Sequence, residues 1–293
     1  MNTDLADEAY ALAQAAYGPA GLEGVDVQVE QLPHGVVRRF RVAAGPAAVR
    51  LGKSPGTYVT IDAPSFWQRS QPEKESLAQV VARELASLLR GLRLSPQAPV
   101  LVAGLGNWNA TPDSLGPRVV QQLLVTRHLG ALLPPEKRGA LRPVAAISPG
   151  VLGLTGVETS ELVGAVVERI RPAAVIGVDA LAAASLDRLC STVQLADAGI
   201  EPGAGVGNRR TGLNRQTLGV PVIAMGLPTV IHASRLAAGT LPPVRDGQLP
   251  GGLVVTPKEI DLIVDQAAEL LAGAINAALH EGVHLDEVLE YLR

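Results

Sequence analysis

Residues 99–130 read PVLVAGLGNWNATPDSLGPRVVQQLLVTRHLG, a strand pattern followed by a glycine turn, an acid and a helix pattern. It begins with a short apolar run, Val100–Ala103, that predicts a buried strand. The chain then turns through Gly106 and reaches an acid, Asp113, after which apolar residues at helical spacing predict a helix extending to about His128. In α/β proteins a strand, a glycine turn, an acid and a helix place a polar group at the carboxyl edge of the sheet.

The residues before this stretch predict a small N-terminal antiparallel β element. Apolar and polar residues alternate over 25–63, with turn residues between the runs, which predicts two to four antiparallel strands. A short helix is predicted from Leu5, and an amphipathic helix over Glu73–Leu92 lies within a linker region, 64–98.

The residues after it alternate between strand and helix patterns. Predicted strands cover Arg142–Ser148, Ala173–Val178, Ser191–Ala196 and Val220–Met225, and predicted helices cover Thr159–Pro172, Ala180–Leu189, a long segment opened by a capping box at Thr256 and Glu259, and the tail from Leu285 to Arg293. This alternation predicts an α/β fold with a doubly wound, mostly parallel sheet. Residues 237–252 are rich in Gly and Pro and predict a surface loop.

Composition limits the class of protein. Of 293 residues 47% are hydrophobic, enough for a large core, and the net charge of −3 argues against a nucleic-acid-binding surface. The single cysteine, Cys190, excludes an intrachain disulfide and a multi-thiolate metal site. No uninterrupted apolar run reaches the roughly 18 residues of a membrane span, so no membrane association is predicted.

Two acids stand out because each follows a predicted buried strand. Asp113 follows the first strand, and Asp179 ends the most apolar one. Side chains at the carboxyl ends of neighbouring parallel strands can meet in one crevice, where two carboxylates share a proton and activate a water. Alternatively the pair binds a divalent metal with a third ligand such as His, or each acid caps a helix that starts at Ser114 or Ala180.

Two glycine-rich segments have other possible uses. The turn at Gly104 and Gly106 fails as a dinucleotide fingerprint because Asn109 occupies the third glycine position. The loop GAGVGN at 203–208 could present backbone N–H groups to a peptide carbonyl or an anion, or could be a tight loop only. The candidate substrate-binding residues are Gly203, Gly205, Gly207, Asn208 and Arg209. No cofactor and no resident metal are predicted.

Several blocks, in order, carry a family resemblance: GLGNWNATPDSLGP, SPGVLGLTGVETSE, VDALAAASLDRL, LADAGIEPGAGVGNRR, TLGVPVIAMGLPTV and VTPKEIDLIV. The chain resembles, from about Thr3 to His280, the germination endopeptidases of spore-forming bacteria, which degrade small acid-soluble spore proteins. The resemblance implies an α/β fold similar to the hydrogenase-maturation peptidases, an atypical aspartic mechanism, a homotetrameric zymogen and a place in the cytoplasm of the spore core. The two family aspartates fall on Asp113 and Asp179.

The resemblance also implies a self-cleavage site. Family substrates are cut after an acid in sequences such as T-E-[I/F]-A, and the self-cleavage site resembles R-T-D-L-A. This chain has Thr3-Asp4-Leu5-Ala6, so cleavage is predicted between Asp4 and Leu5. Residues 1–4 would be a pro-segment, unusually short for the family, and 5–293 a single peptidase domain.

The chain departs from the family pattern at three places. His232 replaces the usual aspartate after PTV, Glu201 replaces a common histidine, and the stretch 231–255 is short. Recognition of an acidic residue before the cleaved bond needs a cation. The candidates, chosen only because their side chains are positively charged, are Arg127, Arg209, Arg210 and Lys258. Two alternatives remain: a metallopeptidase that uses Asp113, Asp179 and a histidine such as His232, and a catalytically idle α/β binding protein.

Overall fold

A computed structural model describes residues 3–33, 35–131, 141–201, 211–233 and 253–280. Within these ranges nine strands form one sheet: β1 (Val25–Leu32), β2 (Gly35–Val42), β3 (Gly56–Asp62), β4 (Val100–Gly104), β5 (Val144–Ile147), β6 (Ala174–Ala183), β7 (Thr192–Ala196), β8 (Val222–His232) and β9 (Val254–Val255). Their order is β1-β2-β3-β7-β8-β6-β4-β5, with β9 beside β8.

Four parallel strands, β5, β4, β6 and β8, form the part of the sheet on which Asp113 and Asp179 are positioned. β4 and β6 lie at the centre of this group, and Gly104 pairs with Val178, so their carboxyl ends meet. Their apolar runs are buried on both faces, as expected for parallel strands covered by helices. The prediction of an α/β fold built on a large sheet with parallel strands is confirmed.

The N-terminal strands β1, β2 and β3 are antiparallel, as predicted, but they are not a separate element. β7 pairs antiparallel with both β3 and β8, and so joins them to the parallel strands. This junction brings the segment before β3 close to the carboxyl edge of β6.

Eight helices among the described residues flank the sheet: α1 (Ala6–Tyr17), α2 (Pro46–Leu51), α3 (Gln71–Gly91), α4 (Leu115–Gln121), α5 (Leu152–Thr155), α6 (Thr159–Ile170), α7 (Arg215–Leu218) and α8 (Ile260–Leu279). The core has two main parts. One contains residues of α3, α4 and α8, and the other contains residues of α1, α2 and α6. Two layers of helices are what a doubly wound sheet requires.

The helix α8 is long and apolar enough to cross a membrane by length and composition alone, with a mean hydropathy of 1.4 over its best window. It contains no long uninterrupted apolar run, because Asp261, Asp265 and Glu269 interrupt its apolar residues. Contacts with α3 and α4, and the full burial of Ile263, Val264 and Leu271, make it a core helix in this fold.

Two sequence predictions fail at the strand ends. The predicted helix Ala180–Leu189 is wrong: β6 continues to Ala183 and stays paired with β8 through a register shift between Leu181 and Ala182, and only a 3-10 turn, Leu186–Arg188, follows. The predicted strand Val220–Met225 is likewise longer, since β8 runs to His232. Strand pairing with β8 overrides the helix preference of the alanine-rich segment.

Two helix boundaries also differ from prediction. The helix after Asp113 ends at Gln121 rather than near His128, and the following backbone bonds to Asn276 and Val144 instead. The capping box at Thr256 is wrong, because α8 begins at Ile260 and the Thr256 hydroxyl donates to the Thr229 carbonyl. The surface loop 237–252 and the predicted tail helix lie outside the described residues.

Candidate active site

The glycine turn after β4 serves to position Asp113. Gly106 has a φ of +113°, and a Cβ there would lie 2.0 Å from the Asp113 carbonyl oxygen, so only glycine fits. The Asn107 N–H donates to Asp113 Oδ2 at 2.8 Å. The buried Thr229 hydroxyl donates to the Pro112 carbonyl at 2.6 Å and so ties the loop to β8.

Asp113 lies in a 3-10 turn, Thr111–Asp113, and does not cap the helix α4 that follows it. The N-cap of α4 is Ser114, and no side chain caps it. The alternative that Asp113 is a helix cap is wrong.

Asp179 lies within β6, just beyond the residue that pairs with the end of β4, and it is 7% exposed. Its Oδ1 accepts from the Ala180 N–H at 2.9 Å. Gly226 on β8 lies opposite, and a Cβ there would be 2.2 Å from the Asp179 carbonyl oxygen. Because no helix begins at Ala180, the helix-cap alternative for Asp179 is also wrong.

The two acids line one cleft, and the carboxylate of Asp113 contributes to the shifted pKa of Asp179. Burial raises the pKa of Asp179 well above its ordinary value, and the carboxylates of Asp113 and Asp4 raise it further. Burial also raises the pKa of Asp113, while the hydrogen bond from the Asn107 N–H lowers it in part. Asp179 is therefore the acid of the pair that stays protonated to higher pH, and Asp113 is the acid that ionises more readily.

Asp4, the acid before the predicted cut, lines this cleft. A cavity of about 410 Å³ is lined by Asp4, Asp113 and Asp179, and a smaller one of about 120 Å³ is lined by Asp4, Asp179 and Lys53. The backbone N–H of Asp4 donates to the Ala182 carbonyl at 3.1 Å. The Asp4 carboxylate accepts from the Ala182 N–H at 2.8 Å.

The residues after Asp4 are fixed as well. The Leu5 side chain is fully buried, and its N–H donates to Thr3 Oγ1 at 3.1 Å. Glu8, in the first turn of α1, accepts from the N–H groups of Ala184 and Ser185 just past the end of β6. The segment around the Asp4–Leu5 bond is thus anchored on both sides of that bond.

Two residues at the Asp4 carbonyl were missed by sequence analysis. Lys53 Nζ and Gln194 Nε2 each donate to the Asp4 carbonyl oxygen at 2.7 Å. The buried strand β7 reads TVQLA, and Gln194 is its one long polar side chain. A long polar residue within a buried strand is the sequence feature that could have identified it. Lys53 lies between α2 and β3, and no sequence pattern around it indicates a functional role.

The other predicted residues are placed differently. Gly203, Gly205, Gly207, Asn208 and Arg209, together with Arg210, lie outside the described residues. Arg127 bonds to the Val144 backbone at the amino end of β5, the edge opposite the acids, so its predicted contact with an acidic substrate residue is wrong. Lys258 is exposed just before α8, and Glu201 lines the smaller cavity.

The described residues offer no ready metal centre. Among them, no group of three or more His, Cys, Asp or Glu side chains is arranged to hold a metal ion. His232, the third ligand considered from the sequence, ends β8 beside Val254 and is not among the residues that line either cavity.

The ends of β4 and β6 thus bring the buried Asp179 and the half-buried Asp113 to one cleft, which Asp4 of the same chain also lines. Comparison with known proteins identifies the class of protein: a profile of the germination protease family matches residues 6–244. The chain belongs to the germination protease family and is a peptidase.

Its relatives match along their whole length. It is 37% identical to the germination protease of Clostridium acetobutylicum over 324 aligned residues, covering 100% of this chain and 99% of that protein. It is 36% identical to that of Halalkalibacterium halodurans over 360, covering 99% and 96%. A [NiFe] hydrogenase maturation protease from Thermococcus kodakarensis is similar in structure with a TM-score of 0.34 and 17% identity, over 61% of this chain and 92% of that one.

Proposed function

We propose that this protein is an endopeptidase that hydrolyses peptide bonds after acidic residues with Asp113 and Asp179, and that one substrate is its own Asp4–Leu5 bond. The observation that carries the proposal is the position of Asp4, which lines the same cleft as both acids and contributes to the raised pKa of Asp179. An acid before the scissile bond is thereby held next to the groups that would cleave it.

The two carboxyl groups would divide the proton transfers. Asp113, the group more readily ionised, takes a proton from a water as its oxygen attacks the carbonyl carbon. Asp179, which holds its proton, supplies one to the departing nitrogen. The pair then exchanges a proton with water to return to its starting state.

The substrates we propose are the small acid-soluble spore proteins, cut when the spore germinates, in the cytoplasm of the spore core. The proposal for these substrates rests on the family and on the same preference for an acid that we propose for the cut at Asp4. Self-cleavage before Leu5 would convert an inactive form into an active one, and the active form is proposed to be a homo-oligomer, as the tetramer of the family implies.

The proposal is tested with a peptide that contains T-E-I-A and with the variants Asp113→Asn and Asp179→Asn. Each variant should lose about 10²–10⁴-fold in kcat, since each removes one proton-transfer group. Asp26→Asn, an exposed acid on β1, is the matched control and should keep full activity. Wild-type rates in both cleft variants would remove the acid pair from the mechanism.

A further inference from the structure

The carbonyl oxygen of Asp4 is held by two side chains that the mechanism above does not use. Lys53 Nζ and Gln194 Nε2 both donate to it at 2.7 Å. A carbonyl oxygen has two lone pairs, so two donors satisfy it fully. If Asp4–Leu5 is a scissile bond, this oxygen is the atom on which negative charge develops when water attacks.

Gln194 is held rigidly in place. It lies in β7, between β3 and β8, and is 8% exposed. Its Oε1 accepts from the Ala6 N–H at 2.6 Å, so the same amide contacts the chain on both sides of the Asp4–Leu5 bond. Accepting at Oε1 fixes the amide orientation and leaves Nε2 to face the Asp4 carbonyl.

Lys53 reaches the same oxygen from a different part of the fold. It follows α2 at Gly52, and its backbone N–H donates to the Ala48 carbonyl at 3.1 Å. Its ammonium also donates to the Thr3 carbonyl at 3.3 Å. Both donors thus belong to the folded domain rather than to the segment that would be released.

We propose that Lys53 and Gln194 form the oxyanion site of this peptidase. This inference rests on the proposed function and names the groups that stabilise its transition state. The proposal applies to substrates supplied from outside as well as to the Asp4–Leu5 bond, because both donors bind the backbone carbonyl oxygen of Asp4, an atom that every peptide substrate has.

The step is balanced as a simple hydrolysis. A water gives one proton to Asp113 and its oxygen bonds to the carbonyl carbon, while the carbonyl π electrons move to the oxygen held by Lys53 and Gln194. The carbon–nitrogen bond then breaks, and the Leu5 nitrogen takes the proton of Asp179. The products are a carboxylic acid at Asp4 and an amine at Leu5.

The surroundings of Lys53 suit this task. Burial lowers the pKa of its ammonium, while the carboxylates of Asp4, Glu201 and Glu8 act in the opposite direction and favour the charged form. A partly desolvated cation interacts more strongly with a developing oxyanion than one in bulk water does. Because Lys53 and Gln194 already occupy both lone pairs, Asp179 is left to protonate the leaving nitrogen.

The test compares Lys53→Met, Gln194→Glu and Gln194→Met on the T-E-I-A peptide, with folding checked by thermal unfolding. Gln194→Glu keeps the acceptor for Ala6 and loses the donor to Asp4, and Gln194→Met provides a neutral replacement if the charge of Glu impairs folding. The expected result is a loss of about 10²–10³-fold in kcat for each, with KM changed less than about fivefold, as for removal of one oxyanion donor.

The matched controls are Lys74→Met and Gln266→Met, a lysine and a glutamine that hydrogen-bond each other outside the cleft and should keep wild-type rates. If Lys53 and Gln194 variants keep wild-type kcat, or change only KM, while Asp113→Asn and Asp179→Asn are inactive, the oxyanion site is overturned and the proposed function stands. If the wild type itself cleaves neither the peptide nor its own chain, both proposals are overturned.

Discussion

The carboxylate of Asp4 accepts a hydrogen bond of 2.8 Å from the backbone N–H of Ala182, three residues beyond Asp179 on the same strand. β6 extends past the end of β4, and this extension provides the backbone that holds the acid. The strand that carries one acid of the pair thus also binds the acidic side chain before the proposed scissile bond.

Asp4→Ala should slow self-cleavage by about 10–100-fold, because it removes a charge-assisted hydrogen bond worth about 1.5–3 kcal/mol. Asp4→Glu, which keeps the carboxylate, should process faster than Asp4→Ala. The measurement is the intact mass of the protein over time. Equal rates for Asp4→Ala and the wild type would show that the hydrogen bond from the Ala182 N–H does not favour an acidic residue before the cleaved bond.

Asp179→Asn should raise stability at neutral pH. Its folded pKa is raised above 3.8, so the folded state favours the protonated carboxyl and loses stability as pH rises through the folded pKa. Asparagine keeps the acceptor for the Ala180 N–H and carries no charge. We expect the free energy of unfolding at pH 7 to be higher for Asp179→Asn than for the wild type.

Urea unfolding of Asp179→Asn and wild type from pH 3 to pH 8 measures this effect. Below the unfolded pKa the two proteins should have similar stability, and the difference should grow with pH. A difference that is constant over the whole range would contradict a buried, proton-holding Asp179.

Peptide cleavage should depend on pH with a bell shape. Activity falls at low pH when Asp113 gains a proton, and falls at high pH when Asp179 loses its own. Because burial raises the pKa of both acids, the acid limb should lie above the range of an ordinary aspartate. The check is kcat/KM from pH 3 to pH 9, and a flat profile across that interval would contradict the assignment.

Chelation should leave the activity unchanged within about twofold, because the proposed proton transfers use carboxyl groups only. Activity on the T-E-I-A peptide is compared before and after dialysis against EDTA, with elemental analysis of the same sample. Loss on chelation with recovery on adding a divalent metal would favour the metallopeptidase alternative.

Gly106→Ala should lower both stability and activity. A Cβ would lie 2.0 Å from the Asp113 carbonyl oxygen at a φ of +113°, so the acid loop must move. We expect destabilisation of about 2–3 kcal/mol or more and a large fall in kcat. Gly153→Ala is the control, because a Cβ there meets nothing within 4 Å, and it should change neither thermal unfolding nor rate.

The acid pair could be predicted from the sequence because it depends on local patterns. Val100–Ala103 and Ala173–Val178 are apolar runs followed by polar residues, and parallel strands bring their carboxyl ends together. The glycine turn is also visible in the sequence. Its role in positioning Asp113 is not, because the close approach of Gly106 to Asp113 depends on how the chain folds back in three dimensions.

The groups around the Asp4 carbonyl could not be predicted because they depend on long-range pairing. Gln194 faces the N-terminal segment only because β7 lies between β3 and β8, and Lys53 reaches it only because β3 pairs with β7. The extension of β6 was missed for the same reason: alanines after Asp179 favour a helix locally, and pairing with β8 decides otherwise.

The most direct measurement is the N-terminal mass of the purified protein after incubation at mildly acidic pH. We expect the wild-type chain to begin at Leu5, and we expect Asp113→Asn and Asp179→Asn to keep every residue before it. A wild-type chain that stays uncut, or a variant that is cut before Leu5 at the wild-type rate, would contradict the claim that these two acids cleave the bond they surround.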